Sequence, residues 1–326
     1  MPDPFFQPVS GIDSPRFAGV PTFMRLPHVE LDSSRITDVD VGLVGIPFDG
    51  GTTNRPGARH GPRQLRDQST MIRMCHPVTR TNPFERVNCA DLGDVNPNPV
   101  SIEDTFARIT AFYRRLATQG ISPLSFGGDH SLSFPVLQGL VDKANPVGMI
   151  HFDAHTDLFD GYFGDFKLTH GTPFRRAVEA GVLDPERVVQ IGIRGTAYGF
   201  DDIEWAEGHG VRIIRIEELM DRGVDEVMAE ARQIVGSADT YVSFDIDFID
   251  PAFAPGTGTP EIGGPDTYTA QRCVRLLDGV KIIGADVVEV SPPLDPSGAT
   301  AWVGMSIAFE ILCVLARGLE ARMTAA

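Results

Sequence analysis

Cysteine is scarce in this chain: four in 326 residues, at Cys75, Cys89, Cys273 and Cys313, with no C-x-x-C pair among them. That number and spacing exclude a disulfide framework and a zinc knuckle, and fit free thiols in a reducing compartment. Positive charge is also in short supply. Twenty-eight Lys and Arg stand against 44 Asp and Glu, for a formal charge of −16. Such a surface repels phosphate backbones, so no nucleic acid and no anionic membrane is expected as a partner, while a small cationic molecule is drawn in. Long hydrophobic runs are missing too. The most apolar stretch, Ala301 to Leu315, is interrupted by Glu310 and reads as a buried C-terminal helix too short to span a bilayer. The opening Met1-Pro2-Asp3-Pro4 carries no basic or apolar leader pattern, and the cytoplasm is the expected location.

What is present is the composition of a globular enzyme. Hydrophobic residues at 42% supply a sizeable core, and 34 Gly with 25 Pro imply many tight loops. Residues 1–34, rich in Pro and Phe, read as an irregular arm. From Val39 the chain alternates. Strand-like runs are expected at Val39–Ile46, Val87–Leu92, Pro123–Phe126, Val147–Phe152, Val188–Ile193, Val211–Ile216, Tyr241–Phe244 and Ile282–Val288. Helical patterns fall at Ile102–Leu116, Leu132–Leu140, Phe174–Ala180, Val224–Val235 and Thr267–Leu277, and Pro62 is placed to open another. Short apolar runs alternating with amphipathic segments predict an α/β fold with a mostly parallel sheet covered on both faces. No shift in composition divides it, so residues 35–326 are expected to form one domain.

Ligands of open α/β sheets gather beyond the carboxyl ends of the strands, and three of those ends are dense in Asp and His. The first is Gly127-Gly128-Asp129-His130-Ser131, weak alone because a single loop histidine is usually structural. The second is His151-Phe152-Asp153-Ala154-His155-Thr156-Asp157, where Asp153, His155 and Asp157 share one face of an extended chain. Converging carboxylates repel one another unless a cation lies between them. The third, Ser243-Phe244-Asp245-Ile246-Asp247, adds two more. Four carboxylates with two imidazoles suit a pair of Mn²⁺-type ions better than a structural zinc.

These stretches, together with Arg55–Pro62, Ser243–Gly264 and Val287–Pro293, resemble the agmatinase-type branch of the arginase/agmatinase (ureohydrolase) family over nearly the whole chain. Ser14–Pro27 and His170–Arg176 look most like bacterial guanidinopropionases and guanidinobutyrases. The resemblance implies a three-layer α-β-α sandwich around an eight-stranded sheet, assembled as trimers or hexamers. It implies two Mn²⁺ per chain, with Ni²⁺ or Co²⁺ able to substitute: His130 and Asp157 on one, His155 and Asp247 on the other, Asp153 and Asp245 bridging. His170 takes the place of a proton-shuttling histidine and Glu289 that of a guanidinium-binding carboxylate.

The expected reaction is hydrolysis of a guanidino compound to urea and an amine by a metal-bridging hydroxide, with Asp157 and His170 carrying protons. A short guanidino acid, 3-guanidinopropionate or 4-guanidinobutyrate, is the preferred substrate. Agmatine and N-alkylated guanidines are the alternatives; formiminoglutamate, or a noncatalytic role on the same fold, ranks lower. Phe159 and Tyr162, in the loop Leu158–Leu168, and the N-terminal arm are the expected contacts of the substrate tail. Arg16, Arg25 or Arg73 are the cations nominated for its carboxylate. Asp129 and Asp250 are read as loop-fixing residues, and His151 is left out of the ligand set.

Overall fold

The computed structural model describes residues 2–325, so Met1 and Ala326 lie outside the described residues. Eight strands form one sheet: β1 (Val41–Ile46), β2 (Cys89–Asp94), β3 (Ser122–Gly127), β4 (Val147–Phe152), β5 (Leu183–Ile193), β6 (Arg212–Arg215), β7 (Thr240–Asp245) and β8 (Ile282–Val288). Their order is β2-β1-β3-β8-β7-β4-β5-β6, and every pairing is parallel. β1, β3, β4 and β7 are buried along their whole length. That is why they read as continuous apolar runs and not as alternating ones.

Nine helices separate the strands among the described residues: α1 (Gly61–Ser69), α2 (Ile102–Gln119), α3 (Ser133–Leu140), α4 (Pro173–Glu179), α5 (Asp201–His209), α6 (Ile216–Arg222), α7 (Val224–Val235), α8 (Thr267–Arg275) and α9 (Ala299–Ala325). Their ends follow local chemistry. The Ser101 side chain caps α2 at Asp104 and Gly120 closes it in the left-handed conformation. Two apolar cores result. One lies under α1, α6, α7, α8 and α9, the other under α2, α3, α4 and α5, which makes the three-layer sandwich.

Some expectations need correction. β2 starts two residues later than the apolar run, because Asn88 is tied to Asp40 and Asp38 instead. β5 begins at Leu183, reaching back through a register shift to pair with Val147. α5 and α6 were not anticipated. Of α5 only Asp202 and Ala206 are buried, so it carries no apolar period to detect, and α6 begins on Ile216, which the strand pattern had claimed. The C-terminal helix runs 27 residues. Its length and apolarity would let it cross a membrane, yet 78% of its apolar window is buried inside the fold. Glu310, within it, is held by Arg275 and His76. The N-terminal segment makes 3-10 turns at Pro4–Phe6, Phe23–Arg25 and Ser34–Asp38. It buries Phe6 and Phe23 completely, and the Phe23 ring stacks on Phe126 of β3 at 4.1 Å.

Candidate metal centre and active site

Four neighbouring strands in the middle of the sheet, β3, β8, β7 and β4, all end at one place, and each delivers polar side chains there. β3 leaves through Gly127 and Gly128. A Cβ on Gly128 would lie 1.7 Å from the carbonyl oxygen of Phe48, so only glycine passes. Asp129 then fixes the turn by accepting from the N–H groups of Ser131 (2.9 Å) and Gly51 (2.7 Å). This delivers His130, 1% exposed, into the centre.

The turn after β4 folds on itself as Asp153 accepts from the His155 N–H at 2.6 Å. The turn after β7 does the same, Asp245 accepting from the Asp247 N–H at 2.8 Å. Asp247 ties the two turns together by accepting from the Ala154 N–H at 3.1 Å. Asp157 and Glu289 both adopt positive φ, 53° and 64°. Such backbone is uncommon outside glycine and collects at functional sites.

The structure brings all six sequence-nominated ligands together. His130 Nδ1 lies 3.1 Å from Asp153 Oδ2, 3.0 Å from Asp157 Oδ2 and 3.1 Å from Asp245 Oδ2. His155 Nδ1 lies 3.1 Å from Asp247 Oδ2 and 3.5 Å from Asp153 Oδ1. Like charges crowd here. Burial, then the charges of Asp247 and Asp153, pushes the Asp245 carboxyl well above the usual carboxylate range. Burial and Asp153 raise Asp247 to about 6. Burial alone would lower both His130 and His155, but the surrounding carboxylates raise them well above the ordinary value.

The fit to a cation can be tested on one atom. His130 Nε2 is 2.8 Å from the Ser243 hydroxyl, which itself donates to Asp286 Oδ1 at 2.7 Å. The Ser243 proton is therefore committed, so His130 carries a hydrogen on Nε2 and turns Nδ1 toward three carboxylate oxygens. Nδ1 is buried and without a hydrogen-bond partner. Facing three anions, Nδ1 needs a cation beside it: a proton in the metal-free chain, in keeping with the raised pKa, and a metal ion in the loaded one. The donor set, imidazole and carboxylate with no thiolate, suits a hard or borderline divalent cation. Both nitrogens of His151 are engaged, Nδ1 by Gln190 (3.0 Å) and Nε2 by Asp153 Oδ2 (2.8 Å), so this residue orients a carboxylate.

Beside the centre opens a cavity of about 1070 Å³ lined by His155, Asp157, His170, Asp245 and Glu289, with Phe159 and Tyr162 on its wall. Glu289 Oε1 accepts from the His130 N–H and from His170 Nδ1, both at 2.9 Å. Its Oε2 is buried with no partner. His170 Nε2 receives the Thr53 N–H at 3.2 Å, which puts the proton of a neutral ring on Nδ1. Burial by itself would lower His170, but the charge and hydrogen bond of Glu289 raise it to about 9.

Sequence reasoning missed the Ser243–Asp286 relay, in which Asp286 also accepts from Tyr241 (2.8 Å) and Ser133 (2.6 Å). Its signal was a lone aspartate inside the apolar run of β8. The N-terminal arm lines no part of the cavity among the described residues, contrary to expectation, and neither do Arg16, Arg25 and Arg73. Arg16 and Arg25 are bound to the carbonyls of Met71 and Ser14 instead.

The model of the Arginase family matches residues 39–314. Over 310 residues the chain is 54% identical to a guanidinopropionase of Pseudomonas aeruginosa, covering 95% of this chain and 96% of that one. It is 46% identical to a guanidinobutyrase of the same organism, with 95% and 96% covered. Among solved structures it resembles the proclavaminate amidino hydrolase of Streptomyces clavuligerus, with a TM-score of 0.88 and 38% identity over 94% of this chain and 100% of that one.

Proposed function

The chain belongs to the arginase family, a family of binuclear-metal enzymes, and from that premise we propose that it hydrolyses a short guanidino acid, 3-guanidinopropionate or 4-guanidinobutyrate, to urea and the corresponding amino acid. The observation that carries this reading is a pair of buried atoms without partners in one centre. His130 Nδ1 calls for a metal ion and Glu289 Oε2 for a hydrogen-bond donor. The names of the guanidinopropionase and guanidinobutyrase relatives support the substrate class.

Two Mn²⁺, or Ni²⁺ or Co²⁺ in their place, would be held by His130, Asp153, His155, Asp157, Asp245 and Asp247, supplying positive charge to polarise the guanidinium and lower the pKa of the attacking water. The protein does the rest. Glu289 takes the guanidinium N–H groups on Oε2, while its Oε1, fixed by His130 and His170, sets the angle of approach. Water adds to the guanidinium carbon, the bond from that carbon to the tail nitrogen breaks, and the tail nitrogen gains a proton. Asp157 and His170 carry it. Divalent cations held at the centre would oppose the rise in the His170 pKa and ease release of its proton. Phe159 and Tyr162, whose ring centroids are 5.4 Å apart, form an apolar wall for the methylenes.

A second reading is an agmatinase or a hydrolase of N-alkylated guanidines. One observation favours it: Asp202, on the cavity wall, has a buried Oδ1 without a partner that would suit a cationic tail. Urea release from 3-guanidinopropionate, 4-guanidinobutyrate, agmatine, arginine and methylated guanidines separates the two. A preference of more than about tenfold for a compound lacking the carboxylate overturns the guanidino-acid reading.

We further read residues 35–326 as one catalytic unit with 1–34 as its arm, working in the cytoplasm as a homotrimer or homohexamer. Four free cysteines support a reducing compartment. Exposed Phe163, Tyr198 and Phe200 near the cavity support self-assembly, since neighbouring copies would cover them.

A further inference from the structure

A guanidino acid ends in a carboxylate, and on the reading above the cavity must offer it a cation. Three arginines line the wall: Arg55, Arg194 and Arg215. Two are committed to the protein. Arg55 donates to the carbonyls of Gly258 (2.8 Å) and Thr257 (2.9 Å). Arg194 donates to those of Asp247 (2.6 Å), Glu261 (2.8 Å), Phe248 (3.1 Å) and Gly192 (3.2 Å). Arg215 is different. Of the acids around β6, Glu218, Glu226 and Glu230 are taken by Arg212 and Arg222; Glu217, which also lines the cavity, makes no ion pair with Arg215, and among the described residues Arg215 has none.

Its position fits the length of the substrate. Arg215 ends β6 with its Cα paired to Ile193 of β5, and the next residue, Arg194, donates its N–H to Ala154 after β4 at 2.9 Å. Two strand spacings, about 10 Å, therefore separate Arg215 from the end of β4, where Asp153 begins the near side of the centre. An extended arginine covers about 6 Å and guanidinopropionate about 5 Å from guanidinium carbon to carboxylate carbon, by standard bond lengths. With a charge-assisted contact of about 3 Å between them, the two reach from the end of β6 across the end of β4 to the centre. Between the two ends, Phe159, Tyr162 and Tyr198 meet edge to face with centroids 5.4–6.2 Å apart, which suits methylenes.

We propose that Arg215 binds the terminal carboxylate of the substrate and thereby selects guanidino acids over agmatine. Urea release by the metal-loaded wild type, Arg215→Ala and Arg215→Glu is measured on 3-guanidinopropionate, propylguanidine and agmatine. Removing Arg215 should raise KM for the acid about tenfold, the scale of one partly exposed charge-assisted pair, with little change in kcat. Propylguanidine kinetics should stay unchanged, and Arg215→Glu should shift preference toward agmatine. The wild-type KM for the acid should also rise with ionic strength, and Arg215→Ala should lose that dependence. An equal loss on all three substrates, or an unchanged KM for the acid in Arg215→Ala, overturns the assignment while the guanidino-acid reading stands. A wild-type enzyme that prefers propylguanidine or agmatine overturns both.

Discussion

His170 Nδ1 lies 2.9 Å from Glu289 Oε1, the same oxygen that accepts the His130 N–H at 2.9 Å. One carboxylate oxygen thus joins the exit of β3 to the loop bearing His170, and the second is left for a substrate. Glu289 reaches this position from a left-handed backbone at φ 64°. The proposed proton carrier and the proposed guanidinium anchor are consequently one coupled unit.

Glu289→Gln keeps the shape and removes the charge. The kcat/KM for the guanidino substrate should fall by about 10²-fold, the scale of losing a buried charge-assisted contact, with the metal content unchanged. Steady-state kinetics alongside elemental analysis checks this, and unchanged kinetics would remove Glu289 from the site.

His170→Ala should lower turnover by about 10²–10⁴-fold, the usual contribution of a positioned proton carrier, without loss of metal. A parallel drop in metal occupancy would make His170 a ligand or a structural residue instead.

Removal of metal should expose a pH signature of the same histidine. In the chelated chain burial would lower His170, but Glu289 raises it from 6.5 to about 9. The folded state then holds the proton more tightly than the unfolded chain does. The resulting stabilisation is full below about pH 6.5 and is lost as pH rises through about 9. Denaturant midpoints of chelated wild type should decline across that window more than those of chelated His170→Ala. Parallel curves would contradict the pairing with Glu289.

Asp153→Asn and Asp245→Asn should be the most damaging ligand changes, because each removes charge from both proposed ions. Turnover should fall by at least about 10²–10³-fold, as when a preorganised electrostatic group is lost. Near wild-type turnover with a full metal load in either variant would refute the bridging assignment.

The fold was legible because the central strands are buried on both faces and leave apolar runs bounded by glycine. The convergence of the six nominated residues was legible because each follows such a run within a few residues. The Ser243–Asp286 contact was not, since it depends on the register that sets these residues side by side across β7 and β8. The free cation was also hidden. Sequence alone nominated Arg16, Arg25 and Arg73; whether an arginine is already occupied depends on carbonyls and acids brought up by the fold, as at Arg194 and Arg212.

The most direct test is urea formation from 3-guanidinopropionate, measured while divalent metal is titrated back into chelated protein. Activity should be absent in the chelated chain and should saturate at two ions per chain. Urea release that survives chelation, or that reaches its maximum at one ion per chain, would contradict the binuclear account.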